Sequence, residues 1–300
     1  MPLDPSLVGH ETQAEISTIT VEDVRAFAEA VGDTNPVFRD PAAAQLAGFP
    51  NIPALPTFVT RFRVPFAEAG LDPEHTQVLH GEQEYEYTRP VCAGDTLSVR
   101  HRVASIRQSA RAGGMAVMTI EQIGETLDGE RAVTGRATII VRDAPPDAAA
   151  AAPGGSGARA RTPEGEAIPT LTKYVTQEQI NAYANVSGDH NPVHINPEVA
   201  RAVGLDGTIA HGMLSMAFAG QMLTDWATAQ SGHAGWVSRL RVRFQAMVRP
   251  GDTLTCHGVL CASGSENGRE RLDVWTDNQQ GERVLTGDAD VVLSGAEAGG

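Results

Sequence analysis

The stretch Thr20–Gly48, TVEDVRAFAEAVGDTNPVFRDPAAAQLAG, and the stretch Thr176–Gly204, TQEQINAYANVSGDHNPVHINPEVARAVG, are two copies of one pattern. Each begins with a threonine where a helix N-cap belongs, and a run of helical periodicity follows. Gly-Asp-x-Asn-Pro then ends the run, because glycine and Asn-Pro stop a helix and force a bend. A second short helix is expected after the bend, with Asn196 as N-cap and Pro197 at its first position in the later copy.

Between the copies, residues 144–168 read APPDAAAAAPGGSGARARTPEGEAI. Rich in Ala, Pro, Gly and Ser and without an apolar period, they cannot order themselves by burial and are expected to form a flexible linker. The chain therefore divides into residues 1–143 and residues 169–300, each long enough to bury its own core.

Later in each half come Ala93-Gly-Asp-Thr-Leu97 and Pro250-Gly-Asp-Thr-Leu254, turns between runs of alternating or β-branched residues that predict antiparallel strands. The stretch Ile209–Ala227, IAHGMLSMAFAGQMLTDWA, suits a helix buried nearly all round, with Gln221 and Asp225 arguing against a membrane span. Helices first, then about four strands, with one nearly all-apolar helix per half, describe an α+β unit whose sheet curls around that helix. This is the hotdog arrangement. Two such units in one chain are expected to pair as a double hotdog, each covering the edge and apolar face of the other.

Composition narrows the function. A formal net charge of -14 opposes a polyanionic partner, so nucleic acid is excluded. No basic stretch followed by an apolar region opens the sequence, and no long apolar run crosses a bilayer, so a cytoplasmic protein with no membrane partner is expected. Cys92, Cys256 and Cys261 form no CxxC pair and are read as buried or bystander thiols.

The segment Asn185–Ile195, with its Asp189-x-Asn191-Pro192-Val193-His194 core, resembles the hydratase-2 motif of the MaoC-like dehydratases, and Ile209–Leu214, IAHGML, resembles that family's second signature. The resemblance implies that Asp189 and His194 are the catalytic pair and that Gly212 offers its backbone N–H to a substrate carbonyl. It also implies a (3R)-hydroxyacyl-thioester hydro-lyase working without a cofactor on acyl-CoA or acyl-ACP. The chemistry is consistent with that pattern. Dehydrating a β-hydroxyacyl thioester moves one proton at C2 and one at the C3 oxygen, and a carboxylate and an imidazole on the arms of a sharp bend can meet one water. An N–H at a helix start stabilises the negative charge gathering on the thioester oxygen. His194 is assigned to the C2 proton and Asp189 to the hydroxyl, an order the sequence leaves open. Asn191 is expected to brace the bend. Asn191, His211 and Met213 are placed among the substrate-binding residues, His211 in a structural role.

In the earlier copy Phe38 replaces the histidine and Leu55-Pro56 replaces the His-Gly pair, which leaves that half without an imidazole to use. His190 and His194 have the spacing of a helical zinc pair, but Pro192 breaks the helix that such a site needs, so no metal is expected. A serine common eight residues beyond the oxyanion glycine in the family is Gly220 here, which removes its hydrogen bond.

Leu55-Pro-Thr-Phe58 and the stretch Gly81–Pro90, GEQEYEYTRP, resemble the non-catalytic partner subunit of the actinobacterial two-subunit (3R)-hydroxyacyl-ACP dehydratases. The whole chain then looks like a fusion of partner and catalytic subunits, the first half shaping an acyl tunnel, with a homodimer of double hotdogs as the expected assembly. Arg239, Arg241 and Arg243 alternate with Leu240, Val242 and Phe244, which puts three guanidinium groups on one strand face. They are candidates for a CoA or phosphopantetheine phosphate, with a solvated outer face as the equal alternative. Competing functions are hydration of a branched or dicarboxylic enoyl-CoA of the mesaconyl-CoA type, thioester hydrolysis, and non-catalytic acyl-thioester binding.

Overall fold

The computed structural model describes residues 3–65, 68, 76–108, 115–143, 163–231, 235–261 and 268–293. The first half runs β1 (Glu15–Thr18), α1 (Val21–Val31), α2 (Pro41–Leu46), β2 (Thr76–Tyr87), β3 (Thr96–Gln108), β4 (Met115–Thr126) and β5 (Arg131–Asp143). The second half repeats the plan with β6 (Glu166–Ala167), β7 (Leu171–Tyr174), α3 (Gln177–Ser187), α4 (Pro192–Ile195), α5 (Pro197–Ala202) and α6 (Gly212–Ser231). It closes with β8 (Trp236–Phe244), β9 (Thr253–Leu260), β10 (Arg269–Asp277) and β11 (Arg283–Val292).

Local chemistry sets the repeated elements. Thr20 and Asp23 form a capping box at the start of α1, and Thr176 Oγ1 accepts from Gln179 N at 3.1 Å at the start of α3. Both helices end on a left-handed glycine, Gly32 at φ 70° and Gly188 at φ 71°, a conformation that a side chain would strain. The two turn glycines also match: Gly94 N donates to Ile19 O and Gly251 N to Val175 O, each at 2.8 Å, tying the turn to the residue before the helix cap.

Ten of the strands follow one antiparallel path, β1-β3-β4-β5-β2-β8-β11-β10-β9-β6, and β7 pairs with β9 beside it. The halves meet where β2 pairs with β8, Tyr85 opposite Leu240 and Glu84 opposite Arg241. The second half's sheet wraps α6, whose Leu214, Phe218 and Leu223 are fully buried, as are Leu285 and Ala289 of the surrounding strand β11. Each such leucine or phenylalanine contributes about 1.5–3 kcal/mol. This is the double hotdog expected from the repeat. Among the described residues no helix is long and apolar enough to cross a membrane.

The structure departs from three expectations. The first half has no long apolar helix among its described residues; Phe58–Arg61 forms a single turn of 3-10 helix in that place. Pro53 and Pro56 lack the N–H groups that a regular helix start would use further on, and the chain there runs extended enough for Pro53 to bridge Cys92. Of the expected linker, residues 144–162 lie outside the described residues, but its end at 163–168 is structured. Glu166 and Ala167 pair with Leu260 and Val259, and Ile168 is 5% exposed, so the open edge of β9 and one apolar anchor order what composition alone left loose. Gly165 is required by that approach, since a Cβ there would lie 2.2 Å from the Leu260 carbonyl oxygen. The central helix also begins three residues later than the apolar run, at Gly212, and continues to Ser231.

Candidate active site

The bend after α3 is held by its own side chains. Asn191 caps α4, its Oδ1 accepting from Val193 N at 3.3 Å, and its N–H reaches back to Asp189 Oδ1 at 3.4 Å. His194 then stands on the one-turn helix α4. Its Nδ1 lies 2.9 Å from the Ile209 carbonyl, which can only accept, so Nδ1 carries the proton and Nε2 keeps its lone pair. Ile209 N donates in turn to Val193 O at 3.2 Å, fastening the segment before α6 to the bend.

His211 lies in that segment, 2% exposed, and by the same argument its Nε2 donates to the Asp189 carbonyl at 2.9 Å. Its Nδ1 is buried without a partner among the described residues. Gly212 is the first residue of α6, so its N–H is one of the first-turn donors that no helix carbonyl satisfies. A Cβ on Gly212 would stand 3.1 Å from the Phe244 ring, which explains why the chain presents bare backbone there. Met213 is buried beside it.

Asp189, His194 and His211 each bring one ligand-capable atom to within 4.8 Å of the others. Three such donors are enough to hold a divalent cation, but a cation already stands on the carboxylate. Arg63, from the first half, places Nη1 2.9 Å from Asp189 Oδ2, and the two side chains are only 34% and 22% exposed. That guanidinium supplies the charge a metal would bring and opposes its approach.

Burial works to raise the Asp189 pKa, but Arg63, the neighbouring imidazoles and the Asn191 N–H outweigh it and hold the carboxyl below its ordinary range. Burial likewise lowers His194, partly offset by Asp189, and brings His211 to about 4. At neutral pH the site therefore rests as one carboxylate, one guanidinium and two neutral imidazoles.

The first half contributes a second group that the sequence did not reveal. His80 of β2 packs edge-on against Phe244 with ring centroids 5.1 Å apart, its Nε2 buried and without a partner among the described residues. Desolvation brings it to about 4, and it senses both Asp189 and Arg63. Neither Arg63 nor His80 belongs to a motif. The available signal was the repeat itself, since paired units of this kind set the bend of one against the body of the other.

Arg239, Arg241 and Arg243 do not join this constellation. They project from the face of β8 opposite to buried Leu240 and Val242. There Arg239 pairs with Glu84 and Asp288, Arg241 with Asp288, and Arg243 with Glu82. A phosphate would meet arginines that already have carboxylate partners, which favours the outer-face alternative over substrate binding. Gly220 faces Pro56 and Leu240, at 3.5 and 3.7 Å from an added Cβ, on the flank of α6 that meets the first half.

The earlier copy of the bend keeps the turn without the chemistry. Asp33 Oδ1 accepts from Asn35 N at 2.9 Å, and Phe38 is 3% exposed where the other half has His194. A small, partly open cleft lies there, lined among others by Val37, Phe38, Pro56, Thr224 and Trp236.

Two family models match the chain, one described as a FAS1-like dehydratase domain region over residues 6–135 and one as a MaoC-like domain over residues 159–282. A Streptomyces avermitilis protein named only UPF0336 is 40% identical over 154 residues, a match covering 48% of this chain and 98% of that protein. A solved MaoC-like dehydratase superposes with a TM-score of 0.81 at 24% identity, over 96% of this chain and 99% of its own. A Mycobacterium tuberculosis protein described as a double hotdog gives a TM-score of 0.65 at 16% identity, covering 95% of this chain and 96% of its own. These last two likenesses concern the fold alone.

Proposed function

The chain belongs to the MaoC-like dehydratase family, and from that premise we propose that it reversibly dehydrates (3R)-3-hydroxyacyl thioesters of CoA or ACP to trans-2-enoyl thioesters. The observation that carries the reading is the convergence of Asp189 and His194 from one bend, beside a helix that begins at Gly212. In the dehydration direction, His194 Nε2 takes the C2 proton and the C2–H pair moves toward the thioester oxygen. The Gly212 N–H stabilises the resulting enolate. The C3–O bond then breaks, the departing oxygen takes the proton held on His194 and leaves as water, and the carbonyl re-forms as C2 and C3 become doubly bonded. Asp189 faces the hydroxyl. Every group needed is a side chain or backbone amide of this chain.

The apolar cleft beside Phe38 supports a role for the first half in holding acyl chains. Thr224 on its wall is twelve residues along α6 from Gly212, about 18 Å at helical rise, so only a long chain extends that far. A dicarboxylic substrate needs a cation with charge to spare, whereas the Arg63 charge is answered by Asp189, which favours an uncharged chain. A cytoplasmic location and pairing of whole chains into a homodimer complete the proposal.

The test follows enoyl-thioester absorbance with crotonyl-CoA and with a long-chain enoyl-CoA. Wild type is expected to consume both, and Asp189→Asn and His194→Ala to lose about 100-fold or more. Ala54→Trp, which fills the cleft, is expected to slow the long substrate alone. Release of free thiol in place of hydration would replace this reading with hydrolysis.

A further inference from the structure

The half without a dyad reaches the catalytic pair through Arg63. Its Nη1 meets Asp189 Oδ2 at 2.9 Å, while Asp189 Oδ1 is turned to Asn191 N at 3.4 Å, so the two oxygens are addressed from different halves of the chain. The contact is built in. Gly188, the left-handed glycine before Asp189, runs so close to the Arg63 stem that an added Cβ would lie 3.5 Å from Arg63 Cγ.

The groups facing Asp189 come from five elements: His194 from α4, His211 from the segment before α6, Tyr183 from α3, His80 from β2, and Arg63 from the loop after the 3-10 turn, with Tyr85 of β2 beside Arg63. Burial keeps the three histidines neutral at neutral pH, and the tyrosines are neutral there in any case. Without Arg63 the carboxylate would stand partly buried with no cation, and it would take up a proton more readily.

We propose that Arg63 is a positioning residue supplied by the first half, which fixes Asp189 as a charged hydrogen-bond acceptor so that one proton circulates through His194 alone. This rests on the hydro-lyase reading above. In balance, the C2–H bond breaks and its proton joins His194 Nε2; the C3–O bond then breaks and the departing oxygen takes that same proton, leaving water and neutral imidazole. Asp189 keeps its charge throughout, holding the hydroxyl in line and stabilising the transient imidazolium. The fusion of the two halves thereby gains a chemical reason, since the half that has lost its imidazole completes the site of the other.

Steady-state hydration of crotonyl-CoA from about pH 5 to 9 by wild type, Arg63→Gln and Arg63→Lys tests this. Arg63→Gln is expected to lower kcat about 10- to 100-fold with KM little changed, and to move the acid limb to higher pH, because both Asp189 and His194 gain proton affinity when the cation goes. Arg63→Lys keeps the charge and is expected to leave the limb in place while kcat falls less. An acid limb unmoved in Arg63→Gln, with kcat within about twofold of wild type, overturns the proposal. NMR titration of the His194 ring nitrogens and the Asp189 carboxyl carbon in the same folded variants needs no turnover. Unmoved titrations in Arg63→Gln overturn the role of Arg63, whereas a wild type that hydrates no enoyl thioester overturns the hydro-lyase reading instead.

Discussion

The rings of His194 and His211 pack with centroids 3.9 Å apart and planes 34° apart. Two imidazoles so close cannot both be protonated without mutual repulsion, and burial first, then His194, keeps His211 at about 4. His211 is a neutral brace that holds the Asp189 carbonyl through Nε2 and gives His194 a surface to lie on. His211→Phe keeps a ring in place but leaves that carbonyl without its donor. It is expected to cost about 1–3 kcal/mol in denaturant unfolding and to lower kcat. Unchanged stability would remove the bracing role.

Acid should destabilise the fold before it titrates ordinary carboxylates. His80, His101 and His211 each lie at about 4 in the folded chain, mainly by desolvation, against 6.5 for the free side chain. A histidine with a lowered folded pKa binds fewer protons folded than unfolded, so its contribution is present above 6.5 and lost as pH falls toward 4. The melting temperature is therefore expected to drop steadily from about pH 7 to pH 4. A flat profile over that interval contradicts the burial of these rings.

The seam between the halves offers a contrast between two arginines of one strand. Arg239 is 18% exposed and joins Glu84 of the first half to Asp288, itself 8% exposed. Arg239→Met takes the most buried cation from both acids, leaving Glu84 to Arg136 and Asp288 to Arg241 and Arg271, and is expected to cost about 1–2 kcal/mol. Arg243, 67% exposed, meets Glu82 across the seam, and Arg243→Met is expected to cost less than about 1 kcal/mol. Neither change should alter KM for a CoA thioester. A KM raised several-fold in both would return these residues to phosphate binding.

The pattern that revealed the fold was local. The Thr caps, the Gly-Asp-x-Asn-Pro bends and the strand alternation each depend on neighbours within a few residues, so the repeat displayed them. The bend also brought Asp189 and His194 into view, because both lie within six residues. What escaped was set by pairing between residues far apart in the chain. Glu82, Glu84 and Glu86 alternate on β2 as Arg239, Arg241 and Arg243 do on β8, yet only the register Glu84 opposite Arg241 turns two charge patterns into one seam. Arg63 reads as one more surface arginine until the double hotdog sets it on Asp189. The edge strand at Glu166–Ala167 escaped for the same reason, since its partner β9 lies far along the chain.

Asp33 and Asp189 occupy the same place in the two copies and have opposite fates. Asp189 has Arg63 against it, whereas Asp33 is fully buried with Oδ2 lacking a partner among the described residues, and desolvation, reinforced by Asp225, carries it up to about 6. A carboxyl with a raised folded pKa contributes stability below its unfolded value of 3.8 and loses it as pH rises through about 6, so at neutral pH its charge burdens the fold. Asp33→Asn keeps an oxygen to accept from Asn35 N and removes that charge. It is expected to stabilise the protein by about 1–3 kcal/mol at pH 7, with the gain vanishing near pH 4 and kcat within about twofold of wild type. Asp189→Asn should abolish turnover without such a gain. If Asp33→Asn unfolds more easily than wild type at neutral pH, Asp33 is paired more fully than its geometry indicates, and the first copy of the bend is then more than a turn.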